Sequence, residues 1–215
     1  MGMRVLGIVG SKRKKGNTYI LVEEALKAAE TGGAETTLIH LGDLDIQGCR
    51  GCEKCAETHR CVIQDDMQDI YPLLLDGAAL ILGSPTHFYN VSSDMQAFLE
   101  RCYCLEGFST EDRSCWVGLI EAMGGAYAAV LVVFEQYDEK YMGYAAETMS
   151  SSLADLGYRV IDIVKAGGLW AAGEAAEDEK SLHRARMMGE KLVRVLRLRE
   201  ELETRSDGPG SGSSP

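Results

Sequence analysis

Four cysteines lie within thirteen residues of the 215-residue chain. They have the spacing C-x2-C-x2-C-x5-C, at Cys49, Cys52, Cys55 and Cys61. Two intervening residues let a tight loop aim successive thiolates at different irons of one cube, so the spacing permits an iron–sulfur cluster with Cys61 as the fourth ligand. Structural zinc prefers two C-x2-C pairs separated by a longer span, and disulfides need an oxidising compartment. From the spacing alone, a cluster, zinc and free redox-active thiols all remain open.

A polar loop bounded by glycines, "GSKRKKGNT" at residues 10–18, follows the first apolar run. Gly10 and Gly16 allow tight backbone turns, and the helix expected after the loop presents N–H groups and a positive dipole end. Hydroxyl and amide groups come from Ser11, Asn17 and Thr18, and Arg13 adds a fixed charge. The loop has neither GxGxxG nor Walker A spacing, so it predicts a monophosphate site. An ordinary polar turn that caps a helix explains this loop equally well.

A second candidate loop, "GSPTHFYNVSSDM" at residues 83–95, follows the third apolar run. In a parallel sheet the loops at the carboxyl ends of adjacent strands meet at one edge, where ligands bind. The loop offers a proline that fixes the backbone and side chains suited to a flat aromatic ligand: Pro85, Thr86, His87, Phe88 and Tyr89. A phosphate site beside an aromatic plane indicates FMN.

The remaining cysteines and a carboxylate pair have simpler interpretations. Three cysteines have irregular spacing and fall on an apolar helix face or beside a tryptophan, which favours buried structural thiols: Cys102, Cys104 and Cys115. Asp65 and Asp66 precede a helical pattern, so they are predicted to cap that helix.

The charge balance excludes some classes of partner. The chain carries 33 acidic against 22 basic residues, with a formal net charge of -11 and a pI near 4.9. Nucleic-acid binding needs a basic face, so we expect none. The first residues lack a secretory signal, and no run reaches the roughly 20 apolar residues of a membrane helix. We therefore expect a cytoplasmic protein without membrane contact.

Apolar runs alternate with helix-period segments along the chain. The predicted strands are residues 3–9, 35–41, 78–84, 126–135 and 158–164. The predicted helices are residues 18–30, 65–78, 92–105, 139–157 and 178–204. Right-handed crossovers then place helices on both faces of a parallel sheet, so the alternation predicts a doubly wound α/β fold with the flavodoxin-like strand order 2-1-3-4-5.

One domain over residues 1–205 follows from this alternation. Residues 44–66, with the four cysteines, interrupt it as an insertion, and residues 106–125 interrupt it a second time. Residues 206–215 are rich in glycine, serine and proline and are predicted to be a disordered tail.

The two loops carry a family resemblance. "GSKRKKGNT" resembles the GSxRxxGNT phosphate loop of the NAD(P)H-dependent FMN reductases, and "GSPTHFYNVSSDMQAFLER" resembles their flavin-ring loop and following helix. With the cysteine motif between them, the chain resembles the iron–sulfur flavoprotein branch of that flavodoxin-like family. The resemblance places the first loop on the FMN phosphate and the second along the ribityl chain and ring. One departure follows the fourth strand, where "FEQYDEKYMGY" stands in place of a glycine-rich loop and Gln136 and Tyr137 are the expected substitutes.

The resemblance implies an FMN-dependent oxidoreductase that passes electrons between FMN and a [4Fe–4S] cluster on the four cysteines. The implied partners are NAD(P)H or a small electron carrier such as ferredoxin. Because one subunit gives only a shallow cleft at the carboxyl edge of the sheet, we also predict a homodimer or homotetramer that completes the flavin site between chains. Two alternatives remain. One is a cluster-free NAD(P)H-dependent reductase of FMN, quinones or nitro-compounds, and the other is a flavin-free binding module based on a metal or thiols.

Overall fold

The computed structural model describes residues 2–76 and 79–206 and has a five-stranded parallel sheet at its centre. Its strands are β1 (Arg4–Val9), β2 (Glu35–His40), β3 (Ala79–Pro85), β6 (Ala126–Phe134) and β7 (Tyr158–Gly167). They lie in the order β2-β1-β3-β6-β7, which is the predicted 2-1-3-4-5 order when these five are counted along the chain. The predicted flavodoxin-like topology is confirmed.

Both faces of the sheet are buried, because successive side chains of a strand point to opposite faces. In β1, Leu6 and Ile8 belong to one hydrophobic cluster, while Val5 and Val9 belong to the other. In the register of the sheet Ile8 lies between Ile39 of β2 and Leu82 of β3. This two-sided burial explains why the strands are continuous apolar runs.

The helices divide between the two faces. The long ones are α1 (Asn17–Thr31), α2 (Met67–Leu75), α3 (Ser93–Arg101), α5 (Ala145–Leu156) and α6 (Glu179–Ser206). The apolar sides of α1 and α6 pack in the Val5–Val9 cluster, and those of α2, α3 and α5 pack in the Leu6–Ile8 cluster. α1 and α6 approach so closely that a side chain at Gly189 would collide with the Ala25 carbonyl.

Two segments differ from the predicted elements. Residues 139–157 are not one helix, because Gly143 has φ +62° and separates the short 3-10 turn Glu139–Met142 from α5. Residues 106–125 form the antiparallel hairpin of β4 (Glu106–Phe108) and β5 (Trp116–Gly118), followed by the one-turn helix α4 (Leu119–Ala122).

The predicted insertion between β2 and α2 contains neither α-helix nor strand from residue 44 to residue 66. We call residues 44–66 the cysteine segment. The predicted third strand began at Ala78, which lies outside the described residues, and so does the predicted tail apart from Ser206, the last residue of α6. None of the described helices has the length and apolarity that crossing a membrane requires.

Candidate functional site

A cleft of about 390 Å³ lies at the carboxyl edge of the sheet, where β1, β3 and β6 end. Seven of the twelve residues predicted to bind the cofactor line it: Ser11, Arg13, Asn17, Thr18, Pro85, Thr86 and His87. The other five do not: Gly16, Phe88, Tyr89, Gln136 and Tyr137. Residues that were not predicted complete the walls: Lys12, Ser92, Ser93, Asp94, Val133, Phe134, Glu135, Leu169 and Trp170.

The loop between β1 and α1 forms one end of the cleft. Gly10 N donates to Gly83 O at 2.8 Å, which ties the start of the loop to β3. Ser11 and Thr18 are buried, and the Arg13 N–H donates to Ser11 Oγ at 3.2 Å. Asn17 and Thr18 of the first turn of α1 line the cleft, so the positive end of the helix dipole lies there, and no side chain among the described residues caps the helix at Gly16. This arrangement suits a phosphate group.

Asn17 joins this loop to the chain that follows β7. Its Nδ2 donates to Ala171 O at 2.8 Å, while its Oδ1 accepts from Gly173 N at 3.1 Å and from Ala175 N at 3.0 Å. Arg13 reinforces the connection, because its Nη1 donates to Trp170 O at 2.9 Å. The Asn17 side chain therefore builds a wall of the cleft, and its predicted contact with phosphate stays a prediction.

The aromatic loop is a tight turn at residues 87–90. His87 N donates to Asn90 O at 2.7 Å, and Phe88 and Tyr89 between them have φ values of 47° and 64°. Positive φ at both central positions is typical of a type I′ turn, which disfavours large side chains. Gly143 packs against the backbone of Tyr89, where a side chain would collide with it. Phe88 is completely exposed and Tyr89 is 53% exposed, so both rings are available at the surface beside the cleft.

Gln136 and Tyr137 lie near the cleft without lining it. Gln136 O accepts from Gly168 N at 3.2 Å, and the Tyr137 ring packs against Gly168. The prediction from the sequence overlooked Leu169 and Trp170 in the loop after β7. The position of that loop at the carboxyl end of the fifth sheet strand was the signal that could have found it.

Asp94 was also overlooked, because its place in the first turn of α3 indicated only a helix start. Its Oδ1 lies 3.4 Å from Lys12 Nζ, and its Oδ2 is buried without a hydrogen-bond partner among the described residues. A buried carboxylate oxygen of this kind requires a donor, such as a ligand hydroxyl.

All seven cysteines are free, and those of the cysteine segment form a loose group. Cys49 and Cys52 are exposed, whereas Cys55 and Cys61 are half-buried. Burial raises the pKa of Cys55, and the charges of Cys61, Cys49 and Cys52 raise it further. Across residues 2–76 and 79–206, no three His, Cys, Asp or Glu side chains converge closely enough to hold a metal ion.

The carboxylate pair does more than cap α2. Asp65 Oδ1 accepts from Met67 N at 3.2 Å, as a cap would, but both oxygens of Asp65 also bind the Arg101 guanidinium. Asp66 Oδ2 accepts from Asp45 N at 2.7 Å. The pair thus fastens the cysteine segment to its surroundings, which the capping interpretation did not include.

Two of the three remaining cysteines are buried, as predicted. Burial raises the pKa of Cys104 to about 11, with Tyr71 and the Cys61 N–H lowering it and Cys55 raising it. Cys104 therefore lies directly behind the cysteine segment. The prediction of a buried Cys115 is wrong, because this residue is exposed in the turn before β5 and its thiol donates to Asp112.

α3 connects the two regions. Its first turn lines the cleft with Ser93 and Asp94, and its later residues Gln96, Leu99 and Glu100 line a second cavity of about 410 Å³ that Cys49 also lines. A nine-residue helix is about 14 Å long. The cleft and the cysteine segment are therefore separated by roughly the length of this helix.

The comparisons with known proteins agree with this geometry. Residues 3–138 match the family model described as NADPH-dependent FMN reductase. An iron–sulfur flavoprotein of Methanocaldococcus jannaschii is 31% identical over 91% of this chain and 98% of its own length. An iron–sulfur flavoprotein of Archaeoglobus fulgidus is 28% identical over 94% of this chain and 84% of its own.

Solved structures share the fold. An NAD(P)H:quinone oxidoreductase from Methanothermobacter marburgensis superposes with a TM-score of 0.62 at 16% identity, covering 89% of this chain and 100% of that one. An FMN-dependent NADH-azoreductase from Bacillus anthracis in complex with FMN gives a TM-score of 0.63 at 14% identity, covering 90% and 99%. The predicted family is confirmed: the chain belongs to the iron–sulfur flavoprotein branch of the NADPH-dependent FMN reductase family and is an FMN reductase-like oxidoreductase.

Proposed function

We propose that this protein binds FMN in the cleft and a [4Fe–4S] cluster on Cys49, Cys52, Cys55 and Cys61, and that it passes electrons between them. The observation that carries the proposal is α3, which borders the cleft with its first turn and the cysteine segment with its last turns. FMN exchanges one or two electrons, and a cluster exchanges one, so the two groups together can link a hydride donor to a one-electron carrier.

The cleft fits FMN on three grounds. Its volume lies in the range of pockets for ligands of this size. Ser11, Thr18 and the start of α1 supply donors and positive potential for the phosphate. The unpartnered Asp94 Oδ2 would accept from a ribityl hydroxyl, and Trp170 would lie along the ligand. No side chain of the cleft needs to act as a general base, because these residues bind and orient.

The cysteine segment fits a cluster through the chemistry of its donors. Four free thiols within one segment provide the full set of thiolates that a [4Fe–4S] cube requires. Closing of the exposed Cys49 and Cys52 onto the half-buried Cys55 and Cys61 would complete the coordination. Free thiols also suit a reducing compartment, and we propose a cytoplasmic location.

We also propose that the protein is a homodimer or homotetramer. Five exposed aromatic side chains lie in the loops beside the cleft: Phe88, Tyr89, Tyr137, Tyr144 and Trp170. Aromatic residues are enriched at interfaces, and a second copy covering them would deepen the cleft. Light scattering should give two or four chains per particle. A monomer at micromolar concentration with bound FMN would contradict this proposal.

The second candidate is a cluster-free NAD(P)H-dependent reductase of quinones or nitro-compounds. The exposure of Cys49 and Cys52 favours it, because exposed thiols can also act alone.

The electron donor is proposed to be NAD(P)H, as in the family, with a small carrier such as ferredoxin as the partner of the cluster.

Anaerobic purification followed by assays of flavin, iron and sulfide tests both candidates. We expect one FMN and about four irons per chain. Cys55→Ser should lose the iron and keep the flavin, whereas Cys115→Ser, an exposed cysteine outside the segment, should keep both. FMN without iron would favour the cluster-free reductase, and a chain without flavin would refute both candidates.

A further inference from the structure

Arg101, the last residue of α3, carries a buried positive charge. Its side chain is 0% exposed and that of Asp65, its partner, is 2% exposed. The pair is bidentate, because Nη1 donates to Oδ2 at 2.6 Å and Nη2 donates to Oδ1 at 3.0 Å. Burial would lower the pKa of Arg101, but the hydrogen bond to Asp65 and the nearby Tyr71 raise it above its ordinary value, so the guanidinium stays charged.

The same guanidinium binds both ends of the cysteine segment. Nη1 donates to Gln47 O at 3.0 Å and Nη2 donates to Ile63 O at 3.4 Å. Asp65 Oδ2 in turn accepts from Gln47 N at 2.9 Å. All four cysteines lie between Gln47 and Ile63. One ion pair therefore closes a loop that contains the complete thiol set.

Stability alone does not account for this ion pair. Replacing a buried ion pair by apolar side chains of similar size often leaves a fold equally stable or more stable, because the charges no longer have to be desolvated. The cysteine segment, in contrast, has no helix or strand to satisfy its backbone. Backbone turns satisfy some of its carbonyls, such as Glu53 O and Cys55 O, but others accept from side chains. Arg101 binds Gln47 O and Ile63 O, and Gln68 Nε2 donates to Cys61 O at 3.1 Å and to Ile63 O at 2.6 Å.

We propose that Arg101 is a positioning residue which, held by Asp65, fixes the two ends of the cysteine segment, so that the loop carrying the four thiols is closed at its base before any metal binds. The fixed loop is a property of the chain itself. Its consequence for cluster assembly rests on the proposed function.

Hydrogen–deuterium exchange of the metal-free, reduced protein tests the fixed loop. Arg101→Met combined with Asp65→Leu removes both charges and keeps apolar bulk. We expect peptides within residues 44–66 to exchange about tenfold faster, while peptides from β1 and β3 exchange as in the unchanged protein. Arg113→Met is the matched control, because it breaks an ion pair to Glu53 in the same segment that is more than half exposed on both sides. This control should change exchange less than about twofold.

Unchanged exchange in residues 44–66 of the folded double variant would overturn the inference. Arg101→Lys serves if the double variant does not fold, because lysine keeps the charge but lacks the planar fork that joins Asp65, Gln47 and Ile63. Exchange as slow as in the unchanged protein would then overturn the inference equally.

Iron uptake separates the inference from the proposed function. Anaerobic reconstitution should load Arg101→Lys with less iron than the unchanged protein and Arg113→Met with as much. If the unchanged protein binds no iron, the proposed cluster is refuted. The hydrogen–deuterium exchange rates would still test whether Arg101 positions the cysteine segment.

Discussion

Asn17→Ala should lower both the stability of the fold and the affinity of the cleft for FMN. The substitution removes three hydrogen bonds, to Ala171 O, Gly173 N and Ala175 N. Ala175 is fully buried, so its N–H loses its partner without access to water, at a cost of about 1–3 kcal/mol. Gly173 is half-buried and Ala171 is exposed, and each of their bonds contributes about 0.5–1 kcal/mol. We expect the free energy of unfolding to fall by about 2–5 kcal/mol.

The same substitution should lower FMN affinity, because Leu169 and Trp170 line the cleft immediately before the bonded loop. A loss of about 1.4 kcal/mol of binding free energy corresponds to a tenfold larger dissociation constant. Urea unfolding followed by circular dichroism measures the stability, and quenching of flavin fluorescence measures the binding.

Asn17→Asp is the matched control. Aspartate keeps an acceptor for Gly173 N and Ala175 N and loses only the donor to Ala171 O, so stability should fall by about 1 kcal/mol. Its negative charge would lie beside the proposed phosphate site and should therefore weaken FMN binding strongly. If the free energy of unfolding of Asn17→Ala lies within about 0.5 kcal/mol of that of the unchanged protein, the role assigned to these hydrogen bonds is wrong.

Three further results are expected. Burial would raise the pKa of Asp65, but the hydrogen bonds from Arg101 hold that pKa below its usual range. The ionised carboxylate therefore contributes its full stabilisation above about pH 4, and this stabilisation is lost as the pH falls through the lower pKa of the folded state. In urea unfolding between about pH 5 and pH 2, Asp65→Asn should therefore lose less stability with falling pH than the unchanged protein does. Gly143→Ala should lower the free energy of unfolding by more than about 1 kcal/mol, because φ at this position is +62° and the new side chain would collide with Tyr89. A urea unfolding midpoint equal to that of the unchanged protein would contradict this expectation. Burial raises the pKa of Cys102, so mass spectrometry should find it alkylated only after unfolding, while the exposed cysteines react at once.

Local sequence signals predicted most of the fold. In the predicted helix 92–105, Met95, Phe98, Leu99 and Cys102 recur at helical spacing, which predicts one apolar face, and all four are buried. Ser92 or Ser93 is expected to cap this helix by residue type, and Ser92 Oγ accepts from Met95 N at 3.2 Å. Such signals work because the periodicity of a helix or strand is set by near neighbours in the sequence.

The missed features depend on distant residues. The partners of Asn17 lie 154 to 158 positions along the chain, and Asp65 lies 36 positions from Arg101. No period connects them, and an arginine at the end of a helix is ordinarily exposed. The hairpin of β4 and β5 was not predicted for a different reason. Each strand has only three residues, too few to show the alternation of apolar and polar side chains that indicates a strand.

The hydrogen bonds of Asn17 also set the order in which the cleft is assembled during synthesis. The ribosome releases the loop between β1 and α1 early, and at about 5–20 residues per second the partners of Asn17 follow many seconds later. Until residue 175 has left the exit tunnel, the cleft lacks the wall formed by Leu169 and Trp170. We therefore expect the proposed cofactor to bind only after the chain has been synthesised beyond residue 175.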